Sequence, residues 1–590
     1  AVEAFERFVE HVRSLSGEVD REFRRVVGGV TFVPVVLPVE EVFRAPEFNL
    51  LRAIRPMPQV RPVPVAVTRD IAGAGAPGPP AADAKPASSE VVAIFDGGLD
   101  PASPVFRPFV EYHDLTPEPP RPEYLQHGAM VTSAFLYGPV ELGTPLSKPP
   151  GAVQHYRVLP PPARPTFDDS LYWVLDRLIE TLRAPGAPRI VGLSFGPDTV
   201  VEEDAEPDRW TSELDALVAE LGVTFVLAAG NNGLEDDALG FNRVMVPADM
   251  VNGIGVGACT TRRRGSRLAR APYSAKGWGR PGQRIAPLGV CFGGSDDEPF
   301  VAFDHCGRLA ETQGTSFAAP LAMRGLCELS AGLGEERRDP ATLRGFAAHF
   351  ADRPRGHRPR LRELGFGRLR ESYREVWECL PNEVSVVYQD FLSRGASTTM
   401  RLPFPDGLSP DTEITLSWTL SYVSSIEPAN ASEYTRSGFE VVFRPHENLR
   451  SIFEVESKKQ LTVLDIVRDR TLLEEMLKTG TYSFNDVPPA DSGWRKLRSE
   501  SAQRLSGKWE TVSHGELRLA AGALLHPRLD LLYLARREGA LVDAGVEPLQ
   551  IALVVTIRAP EGIALYDRVH SQFPVLTPIV HHVPIRLSAA

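Results

Sequence analysis

Four polar residues stand at the borders of short apolar runs: Asp96 closes "VVAIFD", His127 opens "HGAMVTSAFL", Asn231 closes "FVLAAGN", and Ser316 lies in "GTSFAAP". These types suit acyl transfer. A serine hydroxyl is a weak nucleophile until a neutral imidazole takes its proton, and a buried carboxylate sets that imidazole's tautomer and stabilises its cation. Gly314 admits a close backbone approach, and Ser316 at a helix start aims its own N–H, with the helix dipole behind it, at a developing oxyanion. The Asn231 amide supplies a second donor without adding a titratable charge.

The elements around these residues read as alternating strands and helices. "VVAIFDGG", "VQHYRVLP", "RIVGLSFG", "GVTFVLAAGN" and "GIGVGA" are short apolar runs that stop at Gly, Asp, Ser or Asn, as buried parallel strands do. Between them, Leu171, Val174, Leu175, Leu178, Ile179 and Leu182 recur at helical spacing. The expectation for residues 90–376 is an α/β domain, a parallel sheet with helices on both faces and its site at the C-terminal strand ends. His127 is expected to start a helix.

Flanking segments differ in pattern. Residues 1–70 carry an amphipathic helix with Phe5, Phe8, Val9, Val12 and Leu15 on one face, and a strand-like run "VTFVPVVLPV", enough for a small α+β unit. Residues 71–89 are rich in Gly, Pro, Ala and Ser and read as a linker. From 383 to 590 the period becomes two: Ile414, Leu416, Trp418, Leu420 and Tyr422 alternate with polar residues, so an antiparallel β-sandwich is expected, with a helical insertion near "TLLEEMLKTG".

The motifs, in their order, resemble those of the subtilisin-like (S8) serine proteases: "AIFDGGLD", "HGAMV", "GLSFG", "LAAGNNG" and "GTSFAAP" match the Asp, His, substrate-strand, oxyanion and Ser motifs. The resemblance implies a serine endopeptidase with Asp96, His127 and Ser316 as triad and Asn231 as oxyanion donor. Ser194, Phe195, Gly196, Ala228, Ala229 and Gly230 are then the walls for extended substrate. Met130 and Leu321 depart from the family at positions where histidine is common, and "YGPVELGTPLSKPPGAV" lacks the Asn-rich ligands of the family's calcium loop. No cofactor is expected. The longer loop from Gly233 to Val246 leaves the preferred side chain open. A looser likeness is to bacterial S8 peptidases encoded beside AAA-type ATPases in anti-phage loci, which implies such an ATPase as partner and regulation through it or the flanking domains. The alternative is a catalytically idle subtilisin-fold binding or assembly protein.

Composition narrows the partners. Of 590 residues, 43% are hydrophobic and 24% charged, with no run long enough for a membrane span. The net charge of −12 repels nucleic acid and anionic lipid, so the expected partner is a protein or peptide. Five widely spaced cysteines form no C-x-x-C pair and read as reduced thiols. With no export signal in "AVEAFERFVEHVRSL", a cytoplasmic location is expected. "TRRRGSRLAR", residues 261–270, reads as a solvated basic turn, and His581 and His582 as neighbours on opposite strand faces.

Overall fold

The computed structural model describes residues 2–57, 59–60, 69–70, 76–163, 170–202, 205–263, 267–353, 360–393, 397–457, 459–486, 509–537, 540–541 and 548–576. Residues 71–75 of the linker, 264–266 of the basic turn, and His581 and His582 lie outside them. The chain forms two units: Ala1–Tyr373 with Val423–Thr435, and Arg374–Tyr422 with Arg436–Ala590.

In the first unit the order of the elements that carry the site is β1 (Val91–Asp96), β2 (Val110–Asp114), α1 (Pro122–Tyr137), β3 (Ala152–Arg157), α2 (Ser170–Arg183), β4 (Ile190–Leu193) and α3 (Arg209–Leu221). Then come β5 (Thr224–Ala228), β6 (Ile254–Cys259), β7 (Gly289–Phe292), β8 (Phe300–Phe303), β9 (Leu309–Thr312) and α4 (Thr315–Leu333). Strands β1 to β7 form one sheet in the order β7-β6-β5-β4-β1-β3-β2, every pair parallel. Side-chain alternation splits its core in two. Ala93, Phe95, Val191, Leu193, Phe225 and Leu227 point into one cluster with Leu171 to Leu182 of α2 and Trp210 to Val218 of α3. On the other face α4 packs along β4 to β7 and against α1. The helices therefore cover both faces, as expected, and the strands carry near-continuous apolar runs because neither face meets water.

Helix α3 shows how local signals set an element. Asp208 caps it by accepting from Trp210 N–H at 2.8 Å, and Gly222 ends it in the left-handed conformation. Its Trp210, Leu214, Leu217 and Val218 are buried at helical spacing, a burial that stabilises by about 1.5–3 kcal/mol for each large side chain. The N-terminal helix Val2–Ser14 buries Phe5, Val9 and Val12 as its pattern predicts. The run "VTFVPVVLPV" does not stay one strand. It splits into Val30–Phe32 and Val35–Val36, because Pro34 has no N–H to continue a ladder.

The second unit is antiparallel. Strands Glu383–Leu392, Leu549–Arg558, Glu413–Tyr422 and Val512–Ala520 form one sheet, and Ser397–Arg401, Arg528–Arg537 and Ser437–Arg444 belong to another. Their inward residues, among them Ile414, Leu416, Leu420, Tyr422, Phe439, Phe443, Leu529, Leu531 and Tyr533, share one core, so the two sheets pack face to face. The helical insertion is Arg470–Lys478, beside a small three-stranded sheet.

Residues Val423–Thr435 lie in sequence between two sandwich strands yet group with the first unit. There Tyr434, fully buried, donates its hydroxyl to Asp215 at 3.1 Å, and Asp215 also accepts from the N–H groups of Val251 and Asn252. Burial pushes the Asp215 carboxyl up to about 7 in spite of these donors. A folded-state pKa raised above that of an unfolded aspartate contributes stability that is complete below the unfolded value and lost as pH rises through about 7. Urea melts of wild type and Asp215→Asn should therefore shift against the wild type between about pH 5 and pH 8. A difference that stays constant over that window would mean the carboxyl does not titrate there.

Candidate active site

Strand β1 is where the sheet order reverses: β3 and β2 lie to one side of it and β4 to β7 to the other. Such a switch point opens a crevice at the C-terminal strand ends, and Asp96 is the last residue of β1. His127 arrives on α1. The helix starts at Pro122 and not at His127, because proline at the first helical position needs no N–H partner, so His127 sits in the second turn.

Two glycines bring these elements together. A Cβ on Gly128 would lie 2.4 Å from the Gly98 carbonyl oxygen, and one on Gly97 2.4 Å from that of Tyr124. No other residue fits either place. With α1 resting directly on the end of β1, His127 Nδ1 bonds Asp96 Oδ1 at 2.8 Å. Asp96 is fully buried, and its Oδ1 also accepts from Gly97 N–H at 2.7 Å. A carboxylate only accepts, so the proton stays on Nδ1 and Nε2 is left as a bare base. Nε2 is buried and makes no hydrogen bond.

Ser316 is the second residue of α4 and almost wholly buried. Its hydroxyl donates to the Ser194 carbonyl at 3.3 Å, and the Ser194 hydroxyl donates to the Ser316 carbonyl at 3.0 Å. The hydroxyl-to-imidazole bond is thus not made in this structure, although the next residue, Phe317, places its ring 6.1 Å from that of His127.

Asn231 follows the end of β5. Its amide oxygen accepts from Thr315 N–H at 2.9 Å and from the Thr315 hydroxyl at 3.0 Å, and that hydroxyl accepts from Gly230 N–H at 3.2 Å. This turns Nδ2 towards Gly314, where a Cβ would lie 3.4 Å from it. Thr315 is a positioning residue that the motifs above do not single out. Its signal was present: a threonine at the first turn of a helix, where backbone N–H groups need partners.

Ser194 to Gly196 continue from β4, with Phe195 buried edge-on against Trp210 at 6.0 Å. Ala228 to Gly230 end β5, the parallel neighbour of β4, with most of their polar backbone engaged. The carbonyls of Ala229 and Gly230 accept from Met245 and Ala275, each at 2.9 Å. In the loop that follows, Leu234, Leu239 and Phe241 are exposed. A second histidine, His155, is buried on β3 and bonded through Nδ1 to the Thr132 hydroxyl at 2.9 Å. Burial pushes its pKa down to about 4 against the pull of Asp96, so it stays neutral beside the site. Among the described residues one trio, Asp304, His305 and Cys306, has metal-ligand types together, but both Asp304 oxygens already accept from Arg308. No helix of the described residues is long and apolar enough to cross a membrane.

Residues 87–367, just under half of the chain, match the model of the subtilase family, Peptidase S8. That match supports a serine peptidase. No curated protein matches. Among solved structures, the patellamide maturation protease PatA is 23% identical, covering 48% of this chain and 95% of that one, with a TM-score of 0.36. The epidermin leader peptide processing serine protease EpiP from Staphylococcus aureus is 17% identical over 49% of this chain and 75% of its own, TM-score 0.36. The A-subunit of the AB5 toxin from E. coli is 15% identical over 48% and 90%, TM-score 0.35. None of these matches bears on the likeness to ATPase-associated peptidases.

Replacing Gly128 by alanine should separate α1 from β1. We expect a loss of about 1–3 kcal/mol in urea melts, together with loss of the downfield proton resonance of an imidazole N–H held by a carboxylate. An unchanged resonance would show that the contact does not position His127.

Proposed function

We propose that the chain is a serine endopeptidase that hydrolyses peptide bonds in proteins through Ser316, His127 and Asp96. The observation that carries this reading is the buried 2.8 Å bond between His127 Nδ1 and Asp96 Oδ1, with Nε2 unpartnered and Ser316 on the adjoining helix start. On this reading the Ser316 hydroxyl leaves the Ser194 carbonyl for Nε2 when substrate binds. Oγ then attacks the scissile carbonyl carbon while its proton passes to Nε2, and Asp96 steadies the imidazolium. The Ser316 N–H and Asn231 Nδ2 receive the oxyanion. Collapse breaks the C–N bond, the amine leaves with the proton from Nε2, and water repeats the sequence on the acyl-enzyme. The second unit carries none of these residues, and we assign it to recognition or assembly.

One observation favours the idle binding protein: the Ser316 hydroxyl bonds a carbonyl and not the imidazole. A labelled fluorophosphonate separates the two readings, since it modifies only a serine that a base activates. Ser316→Ala should leave the fold intact and lower turnover by up to about 10⁶, a magnitude that is subtilisin's own. Turnover within tenfold of wild type would exclude Ser316 as the nucleophile. Asn231→Ala should cost about 10² to 10³ in kcat with little change in KM, again on the subtilisin scale, because the amide acts on the transition state. A change in KM alone would contradict that role.

A further inference from the structure

A second imidazole, wholly buried, lies behind the Asp96 carboxylate. In the parallel register of β1 and β3, Ile94 stands opposite His155 and Asp96 opposite Arg157, so His155 is set one pleat back from Asp96 on the neighbouring strand. Residues two apart on a strand share a face. Phe95 and Tyr156 enter the core on one side of the sheet, and Asp96 and His155 therefore face the other, where α1 lies. With strands about 4.8 Å apart and a rise of about 3.3 Å per residue, the two Cα atoms are about 8 Å apart, a distance that leaves room for one water molecule between the side-chain ends. The ring of His155 is held on two sides. Tyr112 of β2 stacks on it at 6.0 Å, and the Thr132 hydroxyl of α1 meets its Nδ1 at 2.9 Å. Asp96, Thr132 and His155 are all fully buried, and two of their atoms have no protein partner: His155 Nε2 and Asp96 Oδ2. Oδ2 only accepts. Nε2 donates when the Thr132 hydroxyl gives its proton to Nδ1.

We propose that His155 is a positioning residue for Asp96: Thr132 fixes its Nε2–H tautomer, and that N–H supports Asp96 Oδ2 through one buried water. A buried donor and a buried acceptor on one face are expected to be joined, and a water with two polar partners is the usual link where no direct bond is made. The carboxylate is then held at both oxygens, Oδ1 by His127 and the Gly97 N–H, Oδ2 through His155. The donor has to be neutral. A cation at this place would offset the charge that stabilises the His127 imidazolium, whereas a neutral N–H orients the carboxylate and leaves its charge intact. Burial keeps His155 in that neutral form. The inference rests on the peptidase reading and adds to it two residues, His155 and Thr132, that act through Asp96.

The test uses the full chain as wild type, His155→Leu, which removes the donor, His155→Gln, which keeps a neutral N–H, and Thr132→Val, which removes the hydroxyl that sets the tautomer. Nitrogen-15 spectra of the histidines give a readout that does not depend on activity. In wild type, His155 should be neutral with its proton on Nε2, and the downfield His127 N–H resonance should move in His155→Leu and return in His155→Gln. Fluorophosphonate labelling and turnover of a short peptide ester give the second readout. In His155→Leu kcat should fall about tenfold with KM unchanged, and His155→Gln should recover to within about threefold of wild type. Thr132→Val should lower kcat in the same direction and give His155 both tautomers. A wild-type proton on Nδ1 of His155, or a kcat for His155→Leu within twofold of wild type, would overturn the inference. Equal losses of kcat in His155→Leu and His155→Gln would overturn it too, since the residue would then serve packing alone. No label on the wild type, with both resonances as expected, would instead remove the peptidase reading and leave the link between His155 and Asp96 standing.

Discussion

The 2.8 Å bond between His127 and Asp96 exists because a helix and a strand end touch where no side chain intervenes. Glycines at 97 and 128 leave backbone against backbone, and the imidazole is then carried to the carboxylate by the rigid frame of α1 and β1. Neither partner has room to turn away. Burial adds the second half of the effect: in a medium of low polarity a carboxylate holds an N–H more strongly than in water, and the ring is left with one tautomer. The position of β1 at the reversal of strand order is what brings α1, β4, β5 and α4 to the same strand end.

A similar economy governs the contact between Asn231 and the start of α4. The first turn of α4 has N–H groups without helical partners, and two of them are put to different uses. Thr315 N–H fastens the oxygen of Asn231, which leaves the amide's own donors facing Gly314, while the Ser316 N–H is the one we propose for the oxyanion. The Thr315 hydroxyl ties in Gly230 as well, so one residue joins β5, the Asn231 turn and the helix start. The Ser316 hydroxyl is the loose member of the group. It has a resting acceptor in the Ser194 carbonyl at 3.3 Å.

Much of this was legible in the sequence, for reasons that differ by residue. Apolar runs ending in Asp, Ser and Asn announced parallel strands with polar ends, and the period of two from Ile414 to Tyr422 announced the sandwich, because periodicity follows directly from which faces are buried. Asp96, His127, Asn231 and Ser316 could be singled out as candidates because the chemistry admits few other types, and the fold pairs Asp96 with His127 and sets Asn231 on the residue before Ser316. The start of α1 was not, since a reading anchored on the HG pair overlooked the proline five residues before it. Thr315 was overlooked because its work is done for a residue far away in the chain. Likewise, no local pattern marks Val423–Thr435 as belonging with the first unit: Tyr434 and Asp215 are 219 positions apart, and only the fold brings them together.

That long-range closure sets an order of events during synthesis. Most of the first unit has left the ribosome once Tyr373 is made, yet Asp215 still lacks its phenol until Tyr434 follows. At about 5 to 20 residues per second the wait is roughly 3 to 12 s. Through that interval the nascent chain holds a complete seven-stranded sheet beside an open seam, and its last buried aromatic is delivered from within a stretch whose own strand partners are not yet translated.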